Sequence, residues 1–234
     1  MGATAAFFLH LVLGVACASV ALAACRTPES ARRFARGFQL WCLLLALAAL
    51  SGVAIVSLLP ASPLADTSRG LLRIVGYLGW LVVGTAVVAG LLAALGRVRD
   101  RSADAGAIAT AAFTRSPALS AGLAIYVASA FFGFEIGKAA HDAEMRQFFV
   151  GSGYPVWFMY AVMAAEIAGA LALLARRARF IAACWLGAVM IGAIATHVRN
   201  GDPFSDSLDA VRMLILVVCI ATLELTHRSA ASRK

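Results

Sequence analysis

Long runs of apolar residues, separated by short loops that hold most of the arginines, limit the solvents in which this chain can fold. A helix rising about 1.5 Å per residue needs about 20 residues to cross a hydrocarbon layer about 30 Å thick, and there every backbone N–H and C=O must be satisfied within the helix. Stretches 4–24, 38–59, 71–95, 117–138, 156–175, 180–198 and 208–225 meet or approach that requirement. The last is the least apolar, with Arg212 and Glu224 near its ends, where long side chains reach the interface. Of 234 residues 62% are apolar and 14% charged, against roughly 45–50% and about 25% in an ordinary soluble domain, so a soluble enzyme is excluded. The expected fold is an all-α integral membrane protein with seven transmembrane helices.

The arginines set an expected orientation, because short cytoplasmic loops retain Lys and Arg. Arg26, Arg32, Arg33 and Arg36 follow the first stretch, Arg97, Arg99, Arg101 and Arg115 the third, Arg176, Arg177 and Arg179 the fifth, and Arg228, Arg233 and Lys234 the last. Those are 14 of the 20 cations, and Arg69, Arg73, Lys138, Arg146, Arg199 and Arg212 fall on the other side. This places the N-terminus outside and the C-terminus in the cytoplasm, in a cell inner membrane, and an odd number of spans keeps the alternation. The net charge of +8 is then a topology signal facing anionic lipid, and nucleic acid is not an expected partner. The chain divides into three N-terminal helices with basic loops, 1–116, and a four-helix bundle with a short basic tail, 117–234.

Leu22-Ala23-Ala24-Cys25 has the form of a lipoprotein cleavage box, but Met1 to His10 holds no Lys or Arg and the arginines cluster after Cys25, so retention of the first helix is expected. Cys17, Cys25, Cys42, Cys184 and Cys219 form no C-x-x-C pair and are expected to pack as small core residues.

Ionisable groups inside a membrane cost several kcal/mol unless paired or hydrated, so their positions carry the functional signal. Glu135 and Lys138 stand three residues apart on one helix face, and His141 and Asp142 extend that side if the helix persists. Glu166 is a lone carboxylate among Met163, Ala164, Ala165, Ile167 and Ala168, about 15 Å into its helix at about 1.5 Å per residue, near the expected midplane. Lys138, Glu135, His197 or a ligand must pair with it. His197 ends the sixth stretch, and Asp202, Asp206, Asp209 and Arg212 follow around the start of the seventh. Asp202 before Pro203 reads as a helix cap, whereas Asp206 and Asp209 either join a site or pair with Arg212 and Arg199. The candidate catalytic set is Glu166, His197 and Asp206, with Glu135, Lys138, Asp209 and Arg212 as substrate-binding residues. No H-x-x-x-H or H-E-x-x-H occurs, so no metal is assigned. P-loop, dinucleotide and nucleophile-elbow motifs are likewise missing from the sequence.

From about residue 117 to 225 the order of motifs resembles the DoxX-like family of small four-helix membrane proteins. Phe131-Phe132-Gly133-Phe134-Glu135-Ile136-Gly137-Lys138 is similar to the end of the family's first helix, Gly153-Tyr154-Pro155 to its Gly-x-Pro entry, and Glu166-Ile167-Ala168-Gly169 with Leu173-Leu174 to its glutamate-bearing second helix. His197 before a polar loop also fits. The resemblance implies a DoxX-like four-helix bundle and a redox-associated membrane protein, in some members a subunit beside quinone-reducing enzymes. By that transfer Glu166 handles protons, Lys138, Glu135 and His197 line a quinone-sized, outward-facing pocket, and a redox enzyme is the partner. The alternatives are a membrane enzyme doing acid–base chemistry on a lipid-soluble, isoprenoid-like substrate, a proton-coupled transporter, and an assembly partner without chemistry.

Overall fold

The structure, a computed structural model, describes residues 2–98 and 105–231. Arg99, Arg101, Arg233 and Lys234, which entered the charge argument, lie outside the described residues. Among the described residues the regular structure is all helical: α1 (Ala3–Ala23), α2 (Pro28–Leu58), α3 (Pro63–Val98), α4 (Ala105–Thr114), α5 (Pro117–Ala140), α6 (Asp142–Gly151), α7 (Val156–Leu174), α8 (Arg179–Asn200), a 3₁₀ turn (Phe204–Ser207) and α9 (Leu208–Ala231). Six of them, α1, α2, α3, α5, α7 and α8, are long and apolar enough to cross a membrane. The seventh expected span is present as α9 but does not number among those six. Two short helices, α4 and α6, were not expected.

Local chemistry explains the boundaries. Thr27 and Ser30 form a reciprocal capping box ahead of Pro28, with both backbone N–H groups 3.1 Å from the opposing hydroxyl, and this starts α2 a full ten residues before its apolar run. Pro117 in the first turn starts α5 after Ser116, which makes no side-chain cap bond. His141, at φ −116° and ψ 39°, breaks the axis between α5 and α6, so the helix does not carry straight through to Asp142. Gly201 ends α8 in the left-handed region at φ 75°, which costs glycine nothing.

The helices are apolar almost all round, and their outward faces remain so: Val12, Val20, Leu40, Leu44, Ile181, Trp185 and Val198 are more than half exposed. Water would not tolerate such a surface, whereas lipid requires it. Together with the six apolar helices this makes the chain a multi-pass membrane protein. Helix contacts are therefore made by small residues. Ala31, Ala35 and Cys42 are fully buried along α2, which packs on α5, α3 and α4. A methyl group on Gly122 of α5 would lie 2.9 Å from the Gln39 backbone, so the two helices meet at that glycine. α1 crosses α3 at Gly14 and Gly84, where a Cβ on Gly84 would lie 2.0 Å from the Gly14 carbonyl carbon. α5 in turn contacts α7, α7 contacts α8, α8 contacts α9, and α9 returns to both α5 and α3.

The cysteines divide. Cys42 and Cys219 are buried as expected, but Cys17 and Cys184 sit on exposed helix faces and Cys25 between, all unbonded to one another. The small-residue crossing gives a direct test. Gly84→Leu should force α1 off α3 and lower stability by about 1–3 kcal/mol, as overpacking does. Gly76→Ala, where nothing lies within 4 Å, should be neutral or slightly stabilising. Thermal unfolding of the two variants in detergent measures both, and equal melting temperatures would reject the crossing.

Candidate functional site

Helix packing selects which polar residues meet. The buried stripe of α7 runs through Met159, Glu166, Ala170 and Leu173, a helical spacing, so the same geometry that seats the apolar residues against α5 turns Glu166 inward. On α5 the stripe through Ala128 and Phe131 continues to Glu135. Lys138, one turn on, closes the set. Its ammonium donates to Glu135 Oε1 at 2.7 Å and to Glu166 Oε2 across the helix interface. The two carboxylates are 5% and 4% exposed as residues, while the lysine side chain is 22% exposed. The expected partner of Glu166 is thus Lys138, with Glu135 sharing it.

The charges do not cancel. Two carboxylates and one ammonium leave a net charge of minus one if all are ionised, and among the described residues no second cation is paired with them. Glu135 Oε2 is buried without a hydrogen-bond partner. A buried acceptor left unmade costs about 1–3 kcal/mol, so the arrangement has room for one proton or for a donor from a ligand. Glu166 lies ten residues after Val156 in α7, and its partner Lys138 lies two residues from the end of α5.

The other candidates lie elsewhere. Tyr154 bonds Thr196 at 3.1 Å and Trp185 Nε1 bonds the Ala165 carbonyl at 3.2 Å, contacts that fix one antiparallel register between α7 and α8. That register sets residue 184 opposite Glu166, and His197 stands thirteen residues further along the continuous α8, roughly 20 Å away at about 1.5 Å per residue. His197 Nδ1 instead meets Asp202 Oδ2 at 2.8 Å, and its ring packs on Phe148. Asp202 is therefore not a cap: the turn after it begins from Pro203 without a side-chain cap, and its carboxylate is already engaged. Asp206 is exposed and accepts from Ser205 at 3.0 Å. Asp209 pairs with Arg212 at 3.0 Å on α9 itself. Arg199 does not reach either aspartate, since it donates to the Ser152 carbonyl and stacks over Tyr154 at 4.7 Å. One shared pocket for all seven candidates is not what the fold builds: Glu135, Lys138 and Glu166 converge and the rest do not. Asp142 and Arg146 pair on α6, and Tyr160 donates to Asp142 at 2.8 Å. The Arg146 guanidinium and that hydroxyl hold the Asp142 carboxyl below the usual carboxylate range.

A second buried ionic cluster escaped the sequence reading. Arg179, expected to be a loop cation, is 5% exposed. Its guanidinium donates to the Leu173 carbonyl at 2.9 Å, Ser120 Oγ at 3.1 Å and Glu224 Oε1 at 3.3 Å. Glu224, expected to reach the interface, is 6% exposed instead. The Arg179–Glu224 pair is neutral, with His227 3.8 Å from the same carboxylate, and Arg179 satisfies carbonyls at the end of α7, so it reads as a structural clasp. Among the described residues no group of three metal-ligating side chains occurs.

Residues 119–222 match the DoxX-like family, the part of the chain in which the motif order carried the resemblance. No curated protein and no solved structure matches the sequence. Both clusters fall at least partly within the matched segment, which holds the whole triad.

Removing the shared ammonium isolates the imbalance. Lys138→Met should destabilise the protein by about 3–5 kcal/mol, because two buried carboxylates lose the cation they share. Adding Glu135→Gln and Glu166→Gln should restore most of that loss. Denaturation of the single and triple variants in detergent measures both steps, and an unchanged midpoint for Lys138→Met would mean that the ion pairs do not form.

Proposed function

We propose, from a DoxX-like C-terminal half that carries an over-acidic buried triad, that this is a redox-associated protein of the cell inner membrane in which Glu135, Lys138 and Glu166 pass protons to a quinone-class molecule. The supporting observation is the charge imbalance. Quinone reduction takes two electrons and two protons, and a buried pair of carboxylates around one ammonium offers a site that gains and loses a proton at little structural cost. The electrons come from a partner redox enzyme, so the chain acts as a quinone-interacting subunit. In this reading α9 crosses the membrane as a seventh span, the N-terminus is outside, the C-terminus is cytoplasmic, and α5, α7, α8 and α9 form the DoxX-like bundle. Residues 1–116 then supply three spans and the short α4, packed on α5 and α9 of that bundle.

Within the triad the lysine is the more accessible group, with 22% of its side chain exposed against 6% for Glu135 and 5% for Glu166. A quinone carbonyl oxygen meets Lys138 first. The carboxylates behind it restore the donated proton. Acid–base chemistry on an isoprenoid-like substrate would use the same three residues, but the family match favours the redox reading.

Binding to the native state raises its melting temperature in proportion to ligand saturation. A soluble ubiquinone analogue should give a saturable shift in the wild-type protein, lose it in Glu166→Gln, and keep it in His197→Ala, whose side chain lies well away from the triad. No shift at a large excess of analogue would reject the quinone site. A shift lost only in His197→Ala would move the site to the α6–α8 end.

A further inference from the structure

At the end of α5 remote from the triad, a cavity of about 530 Å³ opens between the first turns of α2, the last turns of α4 and the start of α5. Arg32, Arg36 and Arg115 line it, over a floor that includes Ile108, Ala111 and Ala112. Arg32 and Arg36 are one turn apart on α2 and so share a face, while Arg115 arrives from the turn between α4 and α5. In the sequence these three are scattered among the loop arginines. The fold brings them to one cleft.

Among the described residues their charges are unpaired. None of the three side chains has a hydrogen bond or ion pair to another described residue, and no carboxylate is among the described residues lining the cavity. The contrast is Arg33, between them in sequence but on another face, which pairs with Glu29 at 2.5 Å. Ser116 also lines the cleft, is 7% exposed, and makes no side-chain cap bond at the start of α5, so its hydroxyl is free to donate. The three side chains are exposed, and an anion that joins them relieves the repulsion that solvent only screens. Planar guanidinium forks match the oxygens of a phosphate in pairs, and the apolar floor gives an attached hydrocarbon segment a surface.

The geometry points to a phosphate-binding site in this cleft, with the phosphate held by Arg32, Arg36 and Arg115 and any attached apolar segment lying against Ile108, Ala111 and Ala112. It is independent of the proton chemistry proposed for the triad. The phosphate is either that of an anionic lipid or a free phosphate compound, and the two are separable by experiment.

The full chain, purified in a neutral detergent, is titrated in thermal unfolding with short-chain phosphatidic acid, with phosphatidylcholine of the same chain length, and with pyrophosphate. Phosphatidic acid should give a saturable upward shift and phosphatidylcholine none. Arg36→Gln and Arg115→Gln should each weaken that binding about tenfold, as expected for losing charge-assisted hydrogen bonds, while Arg33→Gln, with the same change in net charge, should leave it unaltered. A pyrophosphate shift with the same arginine dependence assigns the site to free phosphates, and its absence assigns the site to lipid. The proposal is overturned if phosphatidylcholine matches phosphatidic acid, if Arg33→Gln weakens binding as much as Arg36→Gln, or if no probe gives a saturable shift. Should a variant fail to fold, as circular dichroism reports, the headgroup comparison on the wild-type chain decides alone.

Discussion

A charge buried away from water must find its opposite inside the protein, and that requirement organises the C-terminal half of this chain. α5 meets it at both ends. Ser120 stands with Arg179 and Glu224 near its start, and Glu135 with Lys138 and Glu166 near its finish. The fifteen residues between Ser120 and Glu135 span roughly 22 Å at about 1.5 Å per residue, less than the roughly 30 Å hydrocarbon thickness. Both clusters are thus deep enough to need pairing and near enough to the rims for their lysine and arginine stems to approach the interface. Between them α5 is lined by Leu123, Ala124, Val127, Ala128 and Phe131, all buried and apolar.

The two clusters differ in kind. Arg179 with Glu224 sums to zero, the guanidinium also donating to the Leu173 carbonyl, and His227 stands 3.8 Å from the same carboxylate. With all three groups ionised the triad sums to minus one, and it keeps an unpartnered carboxylate oxygen. Replacing a buried neutral pair by apolar residues is often tolerated, whereas an unbalanced set has a standing cost in stability that a purely structural role does not explain. That distinction, rather than burial, separates the candidate site from the clasp.

Much of this was legible in the sequence because the membrane leaves few choices. Apolar length located every long helix, and Glu166 was identified from its isolation among alanines before any partner was known. Its partner was legible only as a short roster, since whether Lys138 or His197 faces Glu166 depends on the α7–α8 register, which contacts such as Tyr154 with Thr196 set and no periodicity reveals. The Arg179–Glu224 pair was not legible at all. Its members are 45 residues apart, and each sits near the end of an apolar stretch, where the interface is the ordinary expectation. Asp202 was misread for a local reason: the left-handed Gly201 turns the chain back so that its carboxylate meets His197, a consequence of backbone geometry that residue types alone do not fix. The short α4 and α6 lack the length that made the other helices visible.

The N-terminal helices bear on how the triad is reached. α2 lies along α5 on the face away from α7, and the apolar window of α5 is 61% buried against 28% for those of α7 and α8. α5 is therefore the inner helix and α7 the one that meets lipid. Glu166 stands on the lipid-facing helix but points at the inner one, so a molecule dissolved in the bilayer is separated from both carboxylates by packed side chains. Lys138 is the exception, with about a fifth of its side chain exposed. Its flexible stem, unlike a fixed carboxylate, swings without moving a helix. Access to the buried protons is thereby reduced to the position of one ammonium, which is why the lysine, and not the more deeply buried glutamates, is the residue on which the proposed chemistry turns.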